Sequence, residues 1–125
     1  LEEVPVQNEN SGRQRRVLVV EDEVLICMLI ETILDDAGYQ VLTANTLQDA
    51  LDVIARESFD IAILDLNLQG KKVYPAAEAL AAKGVPFVFA TGGGTVDVDG
   101  FNDRPKVQKP FQETEILDVV SRHLD

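Results

Sequence analysis

Three acids, Glu21, Asp22 and Glu23, follow directly on the apolar run Val17–Val20. Such a run reads as a buried strand, so negative charge is gathered where the strand ends. Two carboxylates about 4 Å apart repel by roughly 4 kcal/mol at an effective dielectric near 20. A cation, a shared proton or open solvent must offset that repulsion. The residues that follow the later apolar runs extend the pattern. Asp65 comes after Ile61–Leu64, Thr91 after Phe87–Ala90, and Lys109 after Lys106–Gln108. Oxygen ligands that include several carboxylates favour a hard cation such as Mg²⁺. A hydroxyl donor and a fixed ammonium are what a phosphoryl group needs. The chemistry open to this set is transfer of a phosphoryl group to Asp65, run by positioning and electrostatics, with Mg²⁺ neutralising the transferred oxygens.

These side chains converge only if the elements that carry them lie side by side. The apolar runs Val17–Val20, Val41–Ala44, Ile61–Leu64 and Phe87–Ala90, with a weaker one at Lys106–Gln108, are nearly continuous, as in parallel strands covered on both faces. Helical spacing lies between them. Val24–Ala37 has apolar residues at 25, 26, 29, 30, 33 and 34, and Gly38 supplies its stop. Leu47–Arg56 has an apolar face of Leu47, Ala50, Leu51 and Ile54, with Asn45 and Gln48 able to form a capping box. Tyr74–Lys83 has Pro75 near its start and Gly84 past its end. Gln112–Leu124 directs Ile116, Leu117, Val120 and Leu124 inward. The alternation predicts an α/β fold: a doubly wound, five-stranded parallel sheet in the order 2-1-3-4-5, with strands two and five at the edges. Ligands in such sheets bind beyond the carboxyl ends, at the switch between strands one and three.

VLVVEDE, ILDLN, the threonine ending strand four and the QKPF turn together resemble the receiver domain of two-component response regulators. The likeness covers residues 16 to 124, and the order acid pair, Asp, Thr, Lys-Pro is its specific part. It implies a flavodoxin-like receiver fold with Asp65 as phosphoacceptor. It further implies direct ligation of Mg²⁺ by Asp22 and Asp65, assistance from Glu21 through water, and the backbone carbonyl of Asn67 as a further ligand. Lys109 would pair with the phosphoryl group and Thr91 would hydrogen-bond it. The implied partners are a histidine kinase, docking near helix 1 and the loop between strand 5 and helix 5, and a downstream protein or phosphorelay histidine protein. Such a domain is a signalling phosphoacceptor that catalyses its own Mg²⁺-dependent phosphorylation and dephosphorylation. PFVFATGGG resembles more narrowly a subgroup with a PFxFATG signature, often stand-alone receivers. The chain ends after the fifth predicted helix, as a stand-alone receiver or a fragment of a longer protein would.

Three features depart from the usual receiver pattern. Glu21 stands where many receivers have Asp, which moves a carboxylate but keeps its charge. Lys106 occupies the position that usually holds Tyr or Phe, so an aromatic rotamer switch cannot operate there. The fourth helix, expected within residues 91 to 105, contains Gly92, Gly93, Gly94, Gly100 and Pro105. At about 1 kcal/mol for each interior glycine, it is expected to be short or disordered. LICMLI, residues 25 to 30, is apolar nearly all round, so part of it must face outward. Three rival functions can be distinguished. A haloacid-dehalogenase-type phosphatase has its nucleophile in a DxD motif on the first strand, whereas here Asn67 takes the second position of that motif and the acid pair comes first. A phosphorylation-independent scaffold is supported by Lys106 and opposed by Asp22, Asp65, Thr91 and Lys109. A flavin mononucleotide binder would need a hydroxyl-rich loop after strand one.

Composition sets the bounds. A length of 125 residues suits one domain, and 46% hydrophobic content suits a real core. The net charge of −11 argues against nucleic acid and anionic membranes and suits cation binding. No apolar run approaches the ~20 residues of a membrane helix. The single cysteine, Cys27, excludes an internal disulfide, and a cytoplasmic location is expected. Residues 1 to 13 are polar and without period and are expected to form a disordered tail ahead of a domain spanning 14 to 125.

Overall fold

The computed structural model describes residues 14–92, 101, 104–109 and 112–124. The expected tail, most of the expected fourth helix, and Pro110 and Phe111 of the QKPF turn lie outside these residues. In chain order the elements are β1 (Arg16–Val20), α1 (Val24–Asp36), β2 (Gln40–Ala44), α2 (Leu47–Arg56) and β3 (Ile61–Asp65). They continue with β4 (Asn67–Leu68), β5 (Lys71–Lys72), α3 (Tyr74–Ala82), β6 (Phe87–Thr91), β7 (Lys106–Gln108) and α4 (Glu113–Leu124). Five strands form one parallel sheet in the order β2-β1-β3-β6-β7. This is the order that the strand–helix alternation predicts.

Alternate strand residues feed two cores, because successive side chains of a strand point to opposite faces. Leu18, Val20, Ala62, Leu64, Phe87 and Phe89 pack with Ala50 and Ile54 of α2 and Ala76, Ala77 and Leu80 of α3. Val17, Val19, Ile61, Ile63, Val88 and Ala90 pack with Cys27, Ile30 and Leu34 of α1 and Ile116 and Val120 of α4. Every residue of β3 and β6 is buried, whereas the edge strands β2 and β7 expose polar side chains. Phe101 reaches the first core, where its ring meets Phe87 and Phe89 edge-on at centroid distances of 5.5 and 6.3 Å. An apolar anchor thus lies inside the glycine- and aspartate-rich stretch.

The cap of α2 and the inward face of α4 are corrected, and α1 and the connection after β3 show what the pattern left open. The cap of α2 is Thr46, whose hydroxyl accepts from the Asp49 N–H at 3.0 Å. Asn45 is one residue too early for that geometry and serves the site instead. On α1 the inward face is Cys27, Ile30, Ile33 and Leu34, while Leu25 and Leu29 of the expected apolar set are 81% and 52% exposed. Val119 joins the buried face of α4, while Leu117 and Leu124 are only partly buried against that core. A short antiparallel hairpin, β4–β5, sits between β3 and α3, where no strand was expected. Its turn residues Gln69 and Gly70 have φ of 52° and 84°. Positive φ at both centres is the mark of a type I′ turn, which glycine and asparagine usually supply.

Candidate functional site

The ladders of the sheet run slightly past the strand ends, and these extra bonds position the site. Glu21 N–H donates to Ala44 O at 3.0 Å, Leu66 N–H to Ala90 O at 3.1 Å, and Lys109 N–H to Thr91 O at 2.8 Å. The backbone on which Glu21, Asp65, Thr91 and Lys109 sit is therefore held at one edge of the sheet. Asp65 and Thr91 are the last residues of β3 and β6, and both are buried.

One oxygen from each of Glu21, Asp22 and Asp65 lies within 4.8 Å of the others. Lys109 Nζ is 2.7 Å from Glu21 Oε1 and 3.4 Å from Asp65 Oδ1. Glu21 is only 1% exposed, and its second oxygen accepts from the Glu23 N–H at 3.1 Å. Asp22 is partly exposed, and its Oδ2 accepts from the Gln69 N–H at 2.9 Å. Glu23 faces solvent at the start of α1. The charge gathered after β1 is thus offset in three ways: by an ammonium, by backbone N–H groups and by water.

The electrostatics separate the carboxyls. Burial, followed by the Glu21 charge, pushes Asp65 up to about 7 against the opposing pull of Lys109. Burial also disfavours the Asp22 carboxylate, but the Gln69 N–H and contacts with Asp65 and Glu21 outweigh it and hold its pKa below the ordinary value. Burial works against the Lys109 ammonium too, and Glu21 and Asp65 together overcome it and raise its pKa. Two adjacent carboxyls pushed apart in this way make the cluster a candidate functional site.

The oxygen-only donor set fits a hard divalent cation. Each Glu21 oxygen already accepts a hydrogen bond, so of the three acids Asp22 and Asp65 have the more free capacity for an ion. Asn67 is exposed at the start of the hairpin, and its side-chain Oδ1 accepts from Lys72 Nζ at 2.8 Å. Lys106 is exposed and donates to Arg104 O at 3.1 Å. Two contributors were not found in the sequence. Asn45 Nδ2 donates to Glu21 O at 2.8 Å and ties the end of β2 to the acid loop. It stands immediately after β2, so the rule that picked out the residue after each of the other strands would have found it. The Gln69 N–H has no such signal, since a backbone donor in an unforeseen hairpin leaves no mark on residue type.

The profile of the response regulator receiver domain matches residues 17–121. The chain belongs to that family. The receiver is 42% identical to SdrG from Sphingomonas melonis Fr1, with a TM-score of 0.78 over 90% of this chain and 98% of that one. It is 31% identical to the PhyR response regulator REC domain of Erythrobacter litoralis, with a TM-score of 0.78 over 89% of this chain and 90% of that one. Among curated proteins it is 31% identical over 107 residues to the uncharacterized transcriptional regulatory protein YbdJ of Bacillus subtilis, covering 82% of this chain and 47% of that protein. The receiver spans about half or less of the length of the first curated relatives it matches. It is a signalling domain of two-component systems, and no helix among its described residues is long and apolar enough to cross a membrane.

Proposed function

We propose that Asp65 accepts a phosphoryl group from the phosphohistidine of a histidine kinase, and that a protein partner reads the phosphorylated state. The placement of Asp65 carries this reading: a buried carboxyl at the end of a central strand, beside an ammonium on one side and two acids on the other. In the transfer, the histidine N–P bond breaks and an Asp65 O–P bond forms. The electron pair of the broken bond returns to the imidazole nitrogen. Mg²⁺, held by Asp22, Asp65 and the Asn67 carbonyl, would supply charge neutralisation at the transferred oxygens. Lys109 supplies a fixed cation for the same oxygens, which mutual positioning makes far more effective than a mobile one. The Thr91 hydroxyl, buried at the end of β6, donates to the phosphoryl group. Glu21 acts at one remove, as the carboxylate that holds the Lys109 ammonium in place. The same residues serve Mg²⁺-dependent loss of the phosphoryl group to water.

Phosphotransfer from candidate histidine kinases tests this. Label should reach the wild-type chain only with Mg²⁺, should not reach Asp65→Asn, and should be lost in hydroxylamine, as an acyl phosphate requires. Label retained by Asp65→Asn, or stable to hydroxylamine, disproves the assignment. The PFVFATG stretch supports placing the chain in the narrower PFxFATG subgroup.

A further inference from the structure

The β4–β5 hairpin, Asn67–Lys72, is built with more order than a short connection between β3 and α3 needs. Asn67 pairs with Lys72 and Leu68 with Lys71, and the Asn67 side chain accepts from Lys72 across the pair. Leu68 and Val73 are buried in the core shared with α2 and α3, and Val73 N–H closes the base of the hairpin on Leu66 O at 3.0 Å. The hairpin is therefore anchored at its root, and its tip is turned back over the acid loop. There the Gln69 N–H, presented by a residue at φ 52°, donates to Asp22 Oδ2 at 2.9 Å across 47 residues of sequence. Asp22 is more exposed than Asp65, and besides its contacts with the neighbouring acids Asp65 and Glu21 it is held by this backbone N–H. Outer hydrogen bonds of this kind fix the orientation of a metal-ligating carboxylate, and their loss typically costs 10–100-fold in affinity.

We propose that the β4–β5 hairpin is a positioning element for Asp22, orienting its carboxylate through the Gln69 N–H so that the other oxygen faces the cation. Cation binding and hairpin order are then coupled, each stabilising the other. The inference rests on the metal role proposed above for Asp22. It adds that the turn, through a backbone group, sets the affinity.

Glycine substitutions test this with a built-in control. Gly70 has φ 84°, and an added Cβ there meets nothing within 4 Å, so Gly70→Val acts through backbone strain alone. Gly84, past the end of α3, has φ 73° and is equally open, so Gly84→Val imposes comparable strain away from the site. Titration with Mg²⁺ should show Gly70→Val weakened 10–100-fold, with Gly84→Val unchanged. Gln69→Asn, which keeps the N–H and suits a type I′ turn, should stay within about twofold of wild type. Amide hydrogen exchange supplies a readout that needs no metal and no strained variant: the Gln69 amide should be protected in the wild type and lose that protection in Asp22→Ala. Wild-type affinity in Gly70→Val, or a Gln69 amide indifferent to Asp22, overturns the inference and leaves the metal role standing. A wild-type chain that does not bind Mg²⁺ removes the metal role itself.

Discussion

Asp65 keeps its proton to a pH near 7 because burial and the Glu21 charge oppose its ionisation. An unfolded chain releases the same proton near the ordinary aspartate value of about 3.9. Between these two values the folded state holds more protons than the unfolded one. Stability therefore falls as pH rises through that window, and the full cost is reached above about pH 7. Asp65→Asn removes the cost. Without Mg²⁺, it should stabilise the chain at pH 8 by an amount on the order of 4 kcal/mol, at about 1.4 kcal/mol per pKa unit, and by almost nothing at pH 4. Urea denaturation at the two pH values measures this, and equal stability of both proteins at both pH values contradicts it. Lys109 poses the opposite case. It is the partner of a fully buried Glu21. Removing one member of such a pair strands the other, at a cost of about 3–5 kcal/mol. Lys109→Ala should lose stability on that scale as well as phosphoryl acceptance. Replacing Glu21 by Gln in the same chain should recover part of the stability but none of the acceptance.

At the scale of elements, Asn45 and Thr46 divide two tasks that composition alone cannot separate. Both are good helix caps. The chain enters α2 with Thr46 in extended geometry, its hydroxyl on the Asp49 N–H, while Asn45 turns back to the Glu21 carbonyl. Thr46→Ala should cost about 1 kcal/mol of stability and leave Mg²⁺ affinity and phosphorylation unchanged. Asn45→Ala should alter the acid loop and therefore Mg²⁺ affinity. Thermal melts with and without Mg²⁺ distinguish the two; an Mg²⁺-dependent shift lost in Thr46→Ala rather than Asn45→Ala would reverse the assignment. The hairpin belongs to this scale too. Two residues with positive φ let six residues form a ladder, and the ladder delivers one N–H to one carboxylate.

Among the described residues, the sheet separates two cores and the start of α1 presents an exposed apolar face. Val24, Leu25, Met28 and Leu29 of α1 are each more than half exposed, and they stand directly after the acid loop. We propose this face, adjacent in sequence to the acid loop, as the kinase contact. Leu25→Ser and Leu29→Ser should change stability by less than about 0.5 kcal/mol, as surface substitutions do, yet slow phosphotransfer from a cognate kinase. Ile30→Ala on the same helix removes a fully buried side chain and should cost about 2–5 kcal/mol. Phosphotransfer at wild-type rates in both serine variants would move the kinase contact elsewhere.

Much of the fold and of the candidate site was legible in the residues. Apolar runs that are nearly continuous fit strands covered on both faces, and the acids, hydroxyl and ammonium that follow them fall at one sheet edge because all five strands are parallel. The strand order, four of the helices, and the meeting of Glu21, Asp22, Asp65 and Lys109 follow from that pattern. Tertiary structure decided what the pattern is blind to. An all-apolar LICMLI has no period, so only packing against β1 and α4 could choose Cys27 and Ile30 over Leu25 and Leu29 for the interior. Neighbouring capping residues compete for one geometry, and the approach of β2 to the acid loop awarded it to Thr46. The hairpin depends on backbone angles at Gln69 and Gly70, which the Gln side chain does not advertise. Its contribution to the site is an N–H group, which every residue but proline possesses, so only its position in space could reveal it.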